Sequence, residues 1–260
     1  ELDGWSFGPE ANLSSMFDSA NAFNQNLSSW NVSNVTNMTS MFQNAYTFNG
    51  ALDGWSFGPE ANLSSMFYSA NAFNQDLSSW DTSNVTNMTL MFSSTSFFNQ
   101  NLSSWDLSNV TNMSYMFQSA SAFNGALDGW SFGPEANLSF MFNSANAFNQ
   151  NLSSWDVSNV TNMTSMFQSA NSFNGELDGW SFGPEANLSS MFDSANAFNQ
   201  NLSSWNVSNV TNMTSMFQNA YTFNGALDGW SFGPEANLSS MFYSANAFNQ
   251  NLSSWNVSNV

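Results

Sequence analysis

The chain has 260 residues, 42% of them hydrophobic and only 7% charged, with 18 Asp and Glu set against no Lys, Arg or His, for a net charge of −18. With no basic side chain to neutralise phosphates, the composition argues against nucleic acid and anionic membrane surfaces as partners. Cysteine is absent, which excludes disulfides and thiolate metal sites, and no run of about 18 apolar residues is present to span a membrane.

The organising feature is a period of 25 residues, read from the leucines at Leu2, Leu27, Leu52, Leu77, Leu102, Leu127, Leu152, Leu177, Leu202, Leu227 and Leu252. Three residues after each stands a tryptophan: Trp5, Trp30, Trp55, Trp80, Trp105, Trp130, Trp155, Trp180, Trp205, Trp230 and Trp255. A fixed period in this range marks a solenoid, propeller or array. We read residues 1–260 as one continuous solenoid array, ten repeats plus a partial eleventh, with no domain boundary. The pattern starts and stops in mid-repeat, as in a window of a longer array, so targeting signals are expected outside it.

Two repeat types alternate. Type A, first at Leu2 to Phe17, reads L-D-G-W-S-F-G-P-E-A-N-L-S-S-M-F; type B, first at Leu27 to Phe42, reads L-S-S-W-N-V-S-N-V-T-N-M-T-S-M-F. The order is A-B-A-B-B-A-B-A-B-A-B, and residues 1–75 are identical to residues 176–250. Identity over so long a stretch points to selection for length and regularity rather than for one unique site.

Within type B, Trp30 and Val32 flank a polar Asn31, and this period-two pattern predicts a short strand over 27–32. The next segment, S-N-V-T-N-M at 33–38, reads as turns, because Asn and Ser can bond the local backbone. M-F-Q-N-A at 41–45 predicts one helical or 3-10 turn, and T-F-N-G at 47–50 closes the circuit. Type A places Gly8, Pro9 and Glu10 where type B has S-N-V, which predicts a differently shaped corner with Pro outside the strand. The expected fold class is therefore a β-rich repeat solenoid with short helical or 3-10 turns.

Stacking at this period aligns like with like, about 4.7–4.9 Å apart where strands pair. The tryptophans then form one column and Phe17, Phe42 and Phe67 begin another. Aligned aromatics serve either as a sugar- or base-stacking strip or as core; their area and the lack of accompanying basic residues favour core. Two asparagine columns run alongside, one from Asn12, Asn37 and Asn62, the other from Asn24, Asn49 and Asn74. We read the second as a structural ladder of amides.

Asparagines also stand in the glycan-acceptor triplet Asn-X-Ser/Thr, at Asn12, Asn34, Asn37, Asn62, Asn84, Asn87, Asn109, Asn112, Asn137, Asn159, Asn162, Asn187, Asn209, Asn212 and Asn237 among others. In a secreted protein some of these carry glycan, or the repeat needs these residue types for its turns alone; both readings stand. Carboxylates recur in type A as Asp3 with Glu10, Asp53 with Glu60, and onward, and in type B as Asp81, Asp106 and Asp156. They are sparse for a calcium site, which wants clustered oxygens; a solvated face is the favoured reading, with divalent cations such as calcium as the alternative. A catalytic pair would be unique, whereas these repeat, and without His, Cys or Lys most nucleophile and base arrangements are excluded. We expect no enzyme and no resident cofactor.

The string F-N-Q-N-L-S-S-W-D-V-S-N-V-T-N-M-T-S-M-F, Phe148 to Phe167, resembles BspA-like leucine-rich-repeat surface proteins, and more narrowly the DUF285 group with its W-D-V-S-N-V-T-N-M motif. The resemblance covers the whole chain and is closest in type B. It implies a secreted or surface-attached protein with a leucine-rich-repeat-like solenoid, often linked to adhesion, and names no ligand. Two functional expectations follow. The first is a structural protein at the cell surface or outside it, building a filament or coat by end-to-end self-association. The rival is an adhesin or glycan-binding module whose repeated face, with Ser28, Ser29 and Asn31, binds glycans or cell-surface components with avidity. Ordered water on threonine rows is a weaker third idea, because the type B threonines become Ala or Ser in type A.

Overall fold

The computed structural model describes residues 2–9, 11–258 and 260. Each repeat makes one turn of a stack of coils, here called a rung, and among the described residues there is no helix. The named strands are short: β1 (Ala11–Asn12), β2 (Val35–Asn37), β3 (Ala61–Asn62), β4 (Val85–Asn87), β5 (Ala136–Asn137) and β6 (Val160–Asn162). All pair in parallel, β1-β2-β3-β4 in one sheet and β5-β6 in another. Single bridges such as Asn87 to Asn112 and Asn112 to Asn137 join the two and carry the ladder on to Asn237.

The strand therefore lies over 35–37, in the segment expected to turn, and the expected strand over 27–32 is not formed. Leu27 to Trp30 is instead a tight turn closed by Trp30 N–H on the Leu27 carbonyl at 3.0 Å. The Asn26 side chain takes the Ser28 N–H at 2.8 Å and so removes it from any ladder. Only Asn31 keeps a strand-like link, to Ser6.

The expected helical turn at 41–45 is also replaced. Met41 N–H donates to Met38 O, Gln43 to Ser40 O and Ala45 to Phe42 O, each closing a four-residue turn. The intervening N–H groups of Ser40, Phe42 and Asn44 leave the rung and donate to Ser64, Met66 and Tyr68 carbonyls of the next, at 2.8–2.9 Å. Ser40 and Asn44 sit at φ of 57° and 54°, the left-handed region that two turns of this type require at their third residue. Alternate donors pointing inward and onward are incompatible with the continuous register of a helix.

The core is one buried column set. Leu27, Met41, Phe42, Ala45 and Phe48 are fully inaccessible, and so are their equivalents through most later rungs. In each rung two phenylalanines stack face to face, as Phe42 on Phe48 at 4.0 Å, and each stacks on its successor, as Phe42 on Phe67 at 5.5 Å. A rung alone would leave both ring faces in water; stacking removes them, which is why the array and not the repeat is the folding unit.

Candidate functional site

Trp30 to Trp230 lie in this core, Trp255 is half-buried, and Trp5 is 41% exposed. Eight of the neighbouring indole pairs stack, at separations from 5.1 Å for Trp5–Trp30 to 6.3 Å for Trp205–Trp230. From Trp30 onward each indole also does something that sequence pattern does not reveal. Trp30 Nε1 donates to the Leu2 carbonyl of the preceding rung at 2.6 Å, Trp155 to Leu127 at 2.8 Å, and Trp255 to Leu227 at 3.0 Å. The repeated leucine and tryptophan are thus two halves of one inter-rung bond. With Trp30 to Trp230 buried and each of their Nε1 donors bonded, these indoles offer no exposed sugar- or base-stacking strip in the interior rungs.

The second asparagine column forms a side-chain ladder. Asn24 Oδ1 accepts the Asn49 N–H at 2.7 Å, Asn49 accepts from Asn74 at 2.8 Å, and the chain of bonds continues to Asn249 on Asn224. Where Gln follows, its amide reaches back to the preceding rung, as Gln150 Nε2 to Asn124 O at 2.7 Å. Where Gly follows, as at Gly175, the backbone passes so close to the preceding rung that a Cβ would land on the Gln150 carbonyl oxygen.

The acceptor-triplet asparagines divide into two groups. Asn12, Asn37, Asn62, Asn87, Asn112, Asn137, Asn162, Asn187, Asn212 and Asn237 lie on the continuous parallel ladder. Each side-chain oxygen there takes the N–H two residues on, at 2.9–3.0 Å. Asn34, Asn84, Asn109, Asn159 and Asn209 are exposed at the type B corner. Three of these spend their Nδ2 donor on the preceding rung: Asn34 on Phe7 O, Asn84 on Phe57 O and Asn109 on Ser83 O.

The type B carboxylates stand where Asn31 and Asn206 stand in other rungs and do the same work. Asp81 takes the Ser83 hydroxyl at 2.7 Å and its N–H at 3.1 Å, and Asp156 takes the Ser158 N–H at 3.0 Å. Hydrogen bonds from the serine hydroxyl first, and then from its N–H, hold both carboxyls below the usual aspartate range. At Asp76 the Ser78 N–H is the larger cause and its hydroxyl the second. Each aspartate caps its own turn, and among the described residues no three acidic side chains converge on a common point. Glu10, half of the first expected type A pair, lies outside the described residues; Glu60, Glu135, Glu185 and Glu235 are exposed at the type A corner, with φ between 55° and 64°. One carboxylate missed in the sequence is buried: Asp193 accepts from Gln168 Nε2 at 3.0 Å and Asn219 Nδ2 at 3.3 Å.

These features define a repeat protein, a solenoid of short parallel rungs held by backbone, indole and amide ladders. The family described as "Mycoplasma protein of unknown function, DUF285" matches at residues 1–60, 60–138, 98–187 and 184–260, and the chain belongs to it. No curated protein matches the chain.

Proposed function

We propose that this is a structural protein, extracellular or at the cell surface, that builds a filament or coat by end-to-end stacking of its rungs. One observation carries the reading: the asparagine and indole ladders run on through the junction of two type B repeats, although the bridge that joins Ser56 to Asp81 has no counterpart between Asp81 and Asp106. Met88 donates to Asn112 O at 2.9 Å and Trp105 Nε1 to Leu77 O at 3.0 Å, as at every A–B step. Rungs are therefore interchangeable. An open rung offers donors and acceptors on both sides, as Phe42 N–H donates onward to Met66 O while Asn49 N–H donates back to Asn24 Oδ1, so a rung of one copy complements a rung of another. Such a head-to-tail contact does not close and propagates as a fibre. On this reading the protein is no enzyme and needs no cofactor. The reading draws on the resemblance of the repeat to BspA-like leucine-rich-repeat surface proteins, and the leucine column and asparagine ladder support it. The absence of Lys and Arg removes every trypsin-type cleavage site, which suits a durable exterior material.

Among the described residues no helix is long and apolar enough to cross a membrane. Some of the Ser groups of the rival adhesin face are used within the chain: Ser28 Oγ donates to Asn26 Oδ1, and Ser79 Oγ accepts from Gly54 N–H. Cryo-electron microscopy of the undenatured protein over a range of concentrations tests the proposal. Continuous filaments with a rung repeat of about 4.8 Å are expected; discrete rods without end-to-end contact would sink it and direct attention to polysaccharide binding.

A further inference from the structure

One position in the rung departs from its own pattern in three consecutive copies. Ser15, Ser40, Ser65, Ser165, Ser190, Ser215 and Ser240 share it with Leu90, Tyr115 and Phe140. All ten residues have left-handed backbone, with φ of 58°, 61° and 57° at the three large ones. A bulky side chain is disfavoured there, and the fold is built with serine in the other seven rungs, so packing does not demand the change. The three share one register: Leu90 N–H donates to Ser114 O, Tyr115 to Ser139 O and Phe140 to Thr164 O. The Tyr115 and Phe140 rings stack at 4.7 Å and 5°. Ser165, next in line, is buried, unlike the other six serines. The result is a half-exposed apolar ridge along the solenoid axis, spanning the only B–B junction.

The surroundings of the ridge identify its occupant. The chain carries −18 and no cation, so copies repel wherever carboxylates meet. Along the stretches 62–68, 87–93, 112–118, 137–143 and 162–168, which stack on one face, there is no Asp or Glu; on the same face Asp18 and Asp193 stand beyond this zone at either end. The ridge is thus an apolar line in a charge-free window of an acidic rod, where a second acidic rod can approach. Its order also suits self-contact. A two-fold axis at Tyr115 sets Leu90 of one copy beside Phe140 of the other, small against large, with Tyr115 on Tyr115, as an isologous contact requires.

We propose that this ridge is a side-to-side, antiparallel contact between two copies of the chain. Three side chains bury far less than the roughly 1,600 Å² of a standard interface. A single pair of rods therefore associates weakly, and the contact gains strength where it is repeated along adjacent rods. It concerns the flank of the rod and does not depend on end-to-end stacking.

The absence of cysteine makes the test direct. Single variants Tyr115→Cys, Ser40→Cys and Ser190→Cys are oxidised at high protein concentration. Tyr115→Cys is expected to form disulfide-linked dimers about tenfold faster than the two controls, by proximity. A mixture of Leu90→Cys and Phe140→Cys chains is expected to give mainly the mixed dimer. The triple change Leu90→Ser, Tyr115→Ser and Phe140→Ser installs the residue that seven rungs already hold. It is expected to fold as the parent does and to lose the concentration-dependent pairing seen in sedimentation velocity. Equal cross-linking at all three control and test sites, preference for like-with-like dimers at Leu90 and Phe140, or pairing that survives the triple change would each overturn the proposal. So would a parent that remains single at every concentration, which would leave the ridge to a different partner. If end-to-end filaments fail to appear while the mixed cross-link forms, the structural reading falls and this contact stands.

Discussion

A type B rung turns its corner with side chains added to one backbone turn: Asn31 caps the Ser33 N–H, Asn34 reaches back to Phe7 O, and Val35 N–H donates to Val32 O. A type A rung turns the same corner with backbone. Gly58 N–H donates to Val35 O at 3.0 Å, Pro59 offers no donor, and Glu60 takes φ of 55°. The cost appears in the strand, three residues in β2 but two in β3, with a register irregularity between Ala61 and Asn62. Yet both routes deliver Asn37 and Asn62 to the same ladder, and Phe57 fills edge-on against Trp80 at 5.0 Å, where type B has only Val32 or its counterpart. The corners are free to differ because register is reset at each ladder asparagine and each indole; the columns are not.

The sharpest way to break that contrast is to remove a column residue. Trp155→Ala takes a ring from between Trp130 and Trp180 and strips the Leu127 carbonyl of its donor. A loss of about 3–5 kcal/mol is expected, measured by chemical denaturation. In a one-dimensional array it should also split unfolding into separate transitions for the two halves. Next comes the glycine pair. Gly175→Ala drives a methyl into the Gln150 carbonyl, a backbone group that cannot swing aside, whereas Gly129→Ala meets open space and only a φ of 77°. About 1–3 kcal/mol is expected for the first, as for overpacking, and about 1 kcal/mol for the second; equal midpoints would remove the close approach from the account.

The two asparagine groups give a smaller contrast. Asn162→Ala uncaps the Thr164 N–H on the ladder and is expected to cost about 1 kcal/mol, while Asn159→Ala at the exposed corner should leave the melting temperature unchanged. The smallest effect is that of pH at the caps. The carboxyl of Asp156 is held below its ordinary value in the folded chain. Its share of stability is thus present above the unfolded value of about 3.9 and lost as pH falls through the lower folded value. It is an exposed group, so the share is small. Asp156→Asn reproduces the cap found at Asn206. It should match the parent at pH 7 and be less destabilised on acidification; a steeper loss in the variant would reverse the assignment.

The period was legible because one residue type recurs at one interval, and the core followed because the apolar positions within that interval are few and fixed. The strand was misplaced for a physical reason. Val35–Asn37 is too short to show alternation, and its partners lie a whole repeat away, where local pattern has no reach. The helical turn over 41–45 was misread because the left-handed positions are held by Ser40 and Asn44 rather than glycine, leaving no mark in the sequence. Of the candidate sites, the asparagine columns were visible, but which amides are committed to the backbone was not. The Trp Nε1 bond to a leucine of the previous rung and the burial of Asp193 depend on the coil's shape. The ridge at Leu90, Tyr115 and Phe140 was readable as a break in a serine column, but only the structure shows that its rings stack.

The central claim is that rungs are interchangeable and that register, not local sequence, holds the array. It is tested most directly by deleting residues 102–126, one whole period containing one side of the B–B junction, and comparing thermal unfolding with a deletion one residue shorter. The account predicts that the full-period deletion melts cooperatively near the parent with its tryptophans still shielded, while the shorter one is broken at the junction and exposes them. Equal stability of the two, or collapse of the full-period deletion, would contradict it.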